Sequence, residues 1–219
     1  MDALIEQIAI KEVLNPTFES TKQFLGVNKV EMDGDIPRIK DIIISEDKSF
    51  AEVYFPIMDE EYYFVIYIDL IPEVSLRFMG MSAGSKVELF VCSDTEDINK
   101  MIRLLQVTPQ RSWSKGEKRV HSNGIDYSIK NNSGFIYTPI EKTTGEVEDK
   151  LDYLLNELIQ AKDKIFELRK VAEVEIQVTY YGYKDQMWGI NLKPQTIQRL
   201  SELGVSLDID LYASGNDLP

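Results

Sequence analysis

Six residues between positions 111 and 121 hold the most conspicuous chemistry of this chain. Arg111, Lys115, Lys118, Arg119 and His121 surround Trp113 and form the one basic cluster of an acidic protein. Guanidinium and ammonium groups beside an indole can grip a phosphate, a carboxylate or a nucleobase through stacking and charge-assisted hydrogen bonds. The same residues have a plainer use, since lysine-rich loops are commonly solvated and an indole can fold back as a lid on a sheet. Two further candidates are Asp208 and Asp210, which sit two apart on a predicted last strand. They share one side of it, with Leu207, Ile209 and Leu211 on the other. Two carboxylates there could hold Mg²⁺ or Ca²⁺ with water. The spacing is equally that of an acidic solvent face over an apolar core face, and no second acidic cluster can be placed beside them, so no metal is expected.

Nucleophilic and cofactor chemistry find little support. Cys92 and His121 are the only residues of their types, which excludes an internal disulfide framework and a His-rich metal cage. A Cys92–His121 nucleophile pair is conceivable, but Cys92 closes an apolar strand, where a buried inert thiol is the ordinary outcome. Asp94, Glu96 and Asp97 are accounted for as first-turn residues complementing a helix dipole. Gly80, Gly84 and Gly116 are isolated, with neither dinucleotide-binding nor P-loop spacing. No catalytic residue and no cofactor are therefore expected. Tyr180, Tyr181, Tyr183 and Trp188 form a candidate interface, because Gly182, Lys184 and Asp185 place the tip of a predicted hairpin in solvent and aromatic residues dominate binding hot spots.

The elements that position these residues belong to one large or two small domains, the usual scale for 219 residues. Hydrophobic residues make up 43% and charged residues 28%, ordinary globular composition, but 24 Lys+Arg stand against 37 Asp+Glu for a formal net charge of −13. Such a balance argues against wrapping nucleic acid or an anionic membrane surface, both of which need a basic footprint. Acidity is uneven, with net −9 in residues 1–85 and net −4 in 86–219. The first nine residues lack the basic and apolar regions of a secretory signal, and the longest apolar run is about a third of a membrane span. A cytoplasmic address is the resulting expectation.

Residues 1–85 predict two helices, the first with Ala3, Leu4 and Ile8 inward and the second entered through Asn15-Pro16 and closed by Gly26. Strands at 39–45, 50–57, 62–70 and 74–79 follow as an antiparallel meander, the last ending before a candidate boundary at Met81-Ser-Ala-Gly-Ser85. Beyond it the pattern is mixed, and the whole reads as α+β. A strand over 86–92 leads to a helix with Ser93 and Glu96 as its capping box, and 124–130 with 134–138 predict a hairpin. Thr143 and Glu146 form a second capping box before Val147, Leu151, Leu154, Leu158, Ala161, Ile165, Leu168 and Ala172, spaced 4-3-4-3-4-3-4. That seam fits either a helix paired with a partner helix or one packed on its own sheet and broken near Ala161-Lys162-Asp163. Strands at 173–181 and 187–192, a helix from Pro194 to Gly204 and a strand at 206–212 complete the order β-α-β-β-α-β-β-α-β.

Several of these segments resemble the domain of unknown function family 4279, a bacterial group of soluble proteins. The resemblance is carried by the first strand ending in Ser93, the helix leading to Val107-Thr-Pro109, the Trp113-Ser-Lys-Gly116-Glu117 loop, Leu151-Asp-Tyr-Leu-Leu155, and above all the ending Leu203-Gly-Val-Ser-Leu-Asp-Ile-Asp-Leu-Tyr212. One departure is Gly124-Ile-Asp-Tyr127-Ser, where a Trp is expected at the aromatic position. The resemblance covers about 86–214 and implies helices packed on a mixed or antiparallel sheet, with no established activity. With the acidic balance, it leads to a non-catalytic binding protein as the functional expectation. One form is an immunity-like or inhibitor protein for a basic partner such as a nuclease toxin. The alternative is a small-anion or phosphate-sensing module built on the loop from Trp113 to His121.

Overall fold

A computed structural model describes residues 2–120, 127–186 and 189–218. Its first half places α1 (Asp2–Leu14) and α2 (Glu19–Val27) on one face of an antiparallel sheet in the order β3 (Asp41–Ile44), β4 (Phe50–Pro56), β5 (Tyr63–Asp69), β6 (Ser75–Ser82). The short ribbon of β1 (Met32–Asp33) and β2 (Ile36–Pro37) connects helices to sheet. Alternation along β4 and β5 sends Ala51, Val53, Phe55, Phe64, Ile66 and Ile68 toward the helices, where they pack with Ile5, Ala9 and Phe24. The predicted first stripe is one residue out, since Ile5, Ala9 and Glu12 turn inward while Leu4 is exposed. The buried carboxylate of Glu12 explains the shift. It accepts hydrogen bonds from the amides of Thr17 (2.9 Å) and Phe18 (3.1 Å) and from the Thr17 hydroxyl, and so satisfies donors at the entry to α2. Burial pushes its pKa up, but these bonds outweigh burial and hold the carboxyl below its usual range. Because Glu12 does that work from a distance, α2 starts at Glu19 rather than at the predicted Asn15-Pro16 cap, and it runs one residue past Gly26.

The chain leaves β6 and enters a second sheet through β7 (Gly84–Ser93). Its remaining elements are α3 (Ile98–Leu105), β8 (Arg111–Trp113), β9 (Lys118–Val120), β10 (Tyr127–Ile129), β11 (Ser133–Tyr137), α4 (Val147–Gln160), α5 (Lys162–Leu168), β12 (Glu173–Tyr183), α6 (Pro194–Leu203) and β13 (Ser206–Ser214). Five strands form one mixed sheet, β13-β12-β7-β11-β8, in which only the β12–β13 pair is parallel, as the α6 crossover requires. All four helices lie on one face. Val87, Leu89, Val91, Phe135, Val174, Ile176 and Val178 meet Met101, Leu151, Leu154, Leu155, Leu158, Ile165 and Leu168 there. The heptad-like seam is therefore spent on this chain's own sheet, and it breaks at Ala161 (φ −108°, ψ 20°) between α4 and α5.

The architecture is α+β, with antiparallel and mixed sheets. Several local expectations need correction. Asp97, not Ser93, caps α3, accepting from the amides of Asn99 and Lys100, while Ser93 donates to the Val171 carbonyl. Glu146 precedes α4 without a side-chain cap, and Thr143 instead bonds Tyr63 of the other sheet. Among the described residues the predicted pairing of 124–130 with 134–138 does not form, and 124–126 lie outside them. β10 pairs with β9, while β11 pairs with β7 and β8, because the apolar Phe135 and Ile136 are better buried inside the large sheet than in a two-stranded ribbon. Of the predicted strand at 187–192, the described residues 189–192 carry no strand, and 187 and 188 lie outside the described residues. The second half thus reads β-α-β-β-β-β-α-α-β-α-β. Side chains also cross between the sheets. Tyr183, at the end of β12, sits in the first sheet's core against Phe24 and Tyr62, with ring centroids 5.5 Å apart in each case.

Candidate functional site

With α3 to α6 on one face, no described helix covers the opposite face of the five-stranded sheet, and strand register decides what it displays. One row across the sheet runs Ser206, Glu175, Phe90, Ile136, Arg111. The next carries Asp208, Gln177 and Glu88, and the one after it Asp210, Thr179 and Lys86. This face is consequently polarised. Glu88, Glu175, Asp208 and Asp210 outnumber Lys86 on the β13 side, and the cations of β8 and its neighbours stand on the other. Asp208 and Asp210 are exposed, whereas Glu175 is half-buried and accepts from Gln177 (2.8 Å) and Ser206 (3.3 Å). Among the described residues no three His, Cys, Asp or Glu side chains converge as a metal site would require, so the Asp208–Asp210 pair gains no third carboxylate.

At the β8 edge lies a groove of about 650 Å³ lined by Phe90, Arg111, Trp113, Glu117, Lys118, Lys130 and Asn132 among others. Trp113 forms its floor. The indole is only 6% exposed, lies 5.8 Å from the Phe90 ring, and donates from Nε1 to Asn132 Oδ1 at 2.9 Å. It can lie so flat because position 134 is glycine: a Cβ there would stand 2.4 Å from Trp113 Cζ2 and 2.5 Å from the Val91 carbonyl. Lys130 Nζ sits 4.5 Å and Arg111 Cζ 5.9 Å from the indole centroid. The ring is covered, so stacking on a nucleobase is unavailable to it, and what the groove offers a ligand is its cationic rim.

Arg111, Trp113 and Lys118 thus come together as expected from the sequence. Lys115 does not join them, since its ammonium turns away to the Asp94 carbonyl at 2.8 Å. The side chain of Arg119 and the whole of His121 lie outside the described residues, as does Trp188. Lys130, Phe90 and Asn132 escape sequence reasoning, because they arrive through the β11–β7 and β9–β10 pairings that the predicted hairpin misplaces. The aromatic interface candidate divides. Tyr181 stacks on Tyr212 (centroids 5.3 Å, 21°) on the bare face. Tyr180 lines an apolar cleft of about 290 Å³ with Gly189, Ile190, Ile209 and Leu211 on the helix side. Tyr183 is 1% exposed, a core residue and not a surface one. Cys92 is buried, its thiol pushed up to about 11 by burial and by its hydrogen bond to Glu173, the state of an inert sulfhydryl.

The family comparison matches residues 83–214 to "Domain of unknown function (DUF4279)". The chain belongs to this family. No curated protein and no solved structure matches the chain. The residues that carry the DUF4279 likeness have structural work to do. In Trp113-Ser-Lys-Gly116-Glu117, Gly116 takes φ +86° so that the Glu117 amide reaches the Ser114 carbonyl (3.1 Å) while the Glu117 carboxylate accepts from the Ser114 amide (2.9 Å). In Leu151-Asp-Tyr-Leu-Leu155 the leucines enter the core, and Asp152 accepts from Thr196 (2.7 Å) and Arg199 (3.1 Å), locking α4 to α6. None of the described helices is long and apolar enough to cross a membrane.

Proposed function

We propose that this DUF4279 protein is a non-catalytic binding protein, in the manner of an immunity or inhibitor protein, that meets a basic macromolecular partner with the bare face of its five-stranded sheet. The observation carrying this reading is the asymmetry of that sheet. Four helices cover one face, while the other leaves Glu88, Glu175, Asp208 and Asp210 beside one another in register. The formal charge of −13 extends the attraction beyond the contact itself, so association with a basic partner is electrostatically steered and slowed by salt. The test is stopped-flow association with folded basic proteins, nucleases among them, at low and moderate ionic strength. The on-rate should fall about tenfold or more across that range, and again on the charge reversal Asp208→Lys/Asp210→Lys. An on-rate indifferent to both overturns the reading.

A second reading has its own observation, the groove rimmed by Arg111, Lys118 and Lys130. Three cations at one opening in so acidic a chain suit a small polyanion such as a pyrophosphate or nucleotide. At about 100 times its Kd such a ligand adds about 2.7 kcal/mol to stability. Thermal shift with inorganic pyrophosphate and nucleoside phosphates, repeated on Arg111→Ala, decides it, and no shift across that panel rejects it.

A further inference from the structure

β13 is the open edge of the large sheet, hydrogen-bonded to β12 on one side and to no strand on the other among the described residues. It is nine residues long, whereas edge strands are ordinarily protected by being short, bulged, rich in lysine or covered. Its two sides differ in chemistry. On the helix side Leu207, Ile209 and Leu211 continue the apolar face, yet Leu211 is 57% exposed and borders the 290 Å³ cleft shared with Tyr180, Gly189 and Ile190. On the bare side stand Asp208 and Asp210, each in a row with the polar residues of β12 and β7.

From this edge we infer that β13 accepts an extended basic segment of a partner protein as a sixth strand, a mode of contact that rests on the binding reading above. A strand laid beside β13 satisfies its outward N–H and C=O groups and alternates its own side chains between the two sides. One set of positions lies beside Ile209, Leu211 and the cleft and is apolar. The other lies beside Asp208 and Asp210 and is lysine or arginine, since opposite charges on facing strands attract and like charges repel. A second copy of this chain is a poor occupant: antiparallel pairing of two β13 strands around Ile209 sets Asp208 against Asp210 twice over. The aspartates therefore select for a basic guest and against self-association.

The experiment uses the full chain and three nine-residue peptides: one alternating valine and lysine, one with the same composition but its lysines grouped, and one alternating valine and glutamate. Affinity is read by fluorescence anisotropy, and the site by amide hydrogen exchange. The valine–lysine alternation should bind about tenfold more tightly than either other peptide and slow exchange in residues 206–214. Asp208→Lys/Asp210→Lys should reverse the preference toward the glutamate peptide, an outcome that also certifies the variant as folded. Equal affinity for the alternating and grouped lysine peptides, or binding with no protection in 206–214, overturns strand addition. The binding reading is separable: folded basic proteins associating in a salt-dependent way while the peptides leave β13 unprotected would sink this inference alone. Should neither class bind, both fail.

Discussion

Lys150 offers a test of how α4 is held to the start of β7. It lies on α4, only 5% exposed, and its ammonium donates to the Ser85 carbonyl (3.1 Å), the Ser85 hydroxyl (2.8 Å) and the Thr143 carbonyl (3.0 Å). Burial lowers its pKa to about 8 and the nearby Lys142 adds to the effect, against the opposing pull of Glu146 and Asp41. The unfolded chain keeps this proton up to about 10.5. Below pH 8 both states are charged, and the folded state bears the full penalty, about 3 kcal/mol, since each tenfold loss of proton affinity corresponds to about 1.4 kcal/mol. Above pH 8 the folded state releases its proton first, the unfolded state holds more protons, and stability must rise with pH. Between pH 6.5 and 9.5 the gain is about 2 kcal/mol. Cys92 and the buried tyrosines, whose pKa values are raised, pull the other way at alkaline pH, so the quantity to measure is a difference. Urea unfolding of the native chain and of Lys150→Met, followed by far-UV circular dichroism between pH 6.5 and 9.5, supplies it. The variant leaves Ser85 and Thr143 oxygens short of a donor and is offset by a constant amount, but the offset does not alter the slope. The difference should be flat below pH 7 and then climb in favour of the native chain. A difference constant to pH 9.5 would show that the three acceptors fully replace water around this ammonium, and the account would be wrong.

Three further outcomes rest on other contacts of the fold. Gly134→Ala should cost about 1–3 kcal/mol and shift indole emission, because a Cβ 2.4 Å from Trp113 and 2.5 Å from the Val91 carbonyl forces the ring off its seat; an unchanged urea midpoint with unchanged emission contradicts this. Tyr183→Ala should cost about 3–5 kcal/mol by emptying a site between Phe24 and Tyr62, with Tyr183→Phe losing about 1 kcal/mol; a surface role would make both variants neutral in denaturation. Cys92, with its thiol near 11, should be only about 0.1% thiolate at pH 8 and react with a disulfide reagent at least about a hundred times more slowly than in urea; equal rates would mean the sulfur is open.

Where the chain is legible, one periodicity dominates. The β-branched and aromatic runs of β4 and β5, the alternation in β7 and β13 and the seam of α4 and α5 are local patterns, and each can be read without knowing its neighbours. What cannot be read is pairing. The segment 133–137 looks like half of a hairpin because Asn131-Asn132 resembles a turn, and only the global gain of inserting Phe135 and Ile136 between β7 and β8 decides otherwise. Caps fail for a similar reason. Glu12 serves the entry to α2 from the preceding helix, and Thr143 is drawn to Tyr63 on another sheet, so a rule that looks three residues ahead finds the wrong partner.

The same distinction governs the site. Arg111, Trp113 and Lys118 are close in sequence and stay close in space, so their grouping is visible, whereas Lys130 and Phe90 join them only through strand order. Asp208 and Asp210 are visible as a pair but not as part of a field, because Glu88 and Glu175 reach them through two register relations. Register therefore changes the meaning of the chain's acidity. The net charge of residues 1–85 exceeds that of the remainder, yet the charge that could orient a partner is the gradient across one bare sheet face, from Asp208 and Asp210 at one edge to Arg111 and Lys130 at the other. A partner steered by net charge alone could land anywhere; one that also reads that gradient has a single orientation on the sheet.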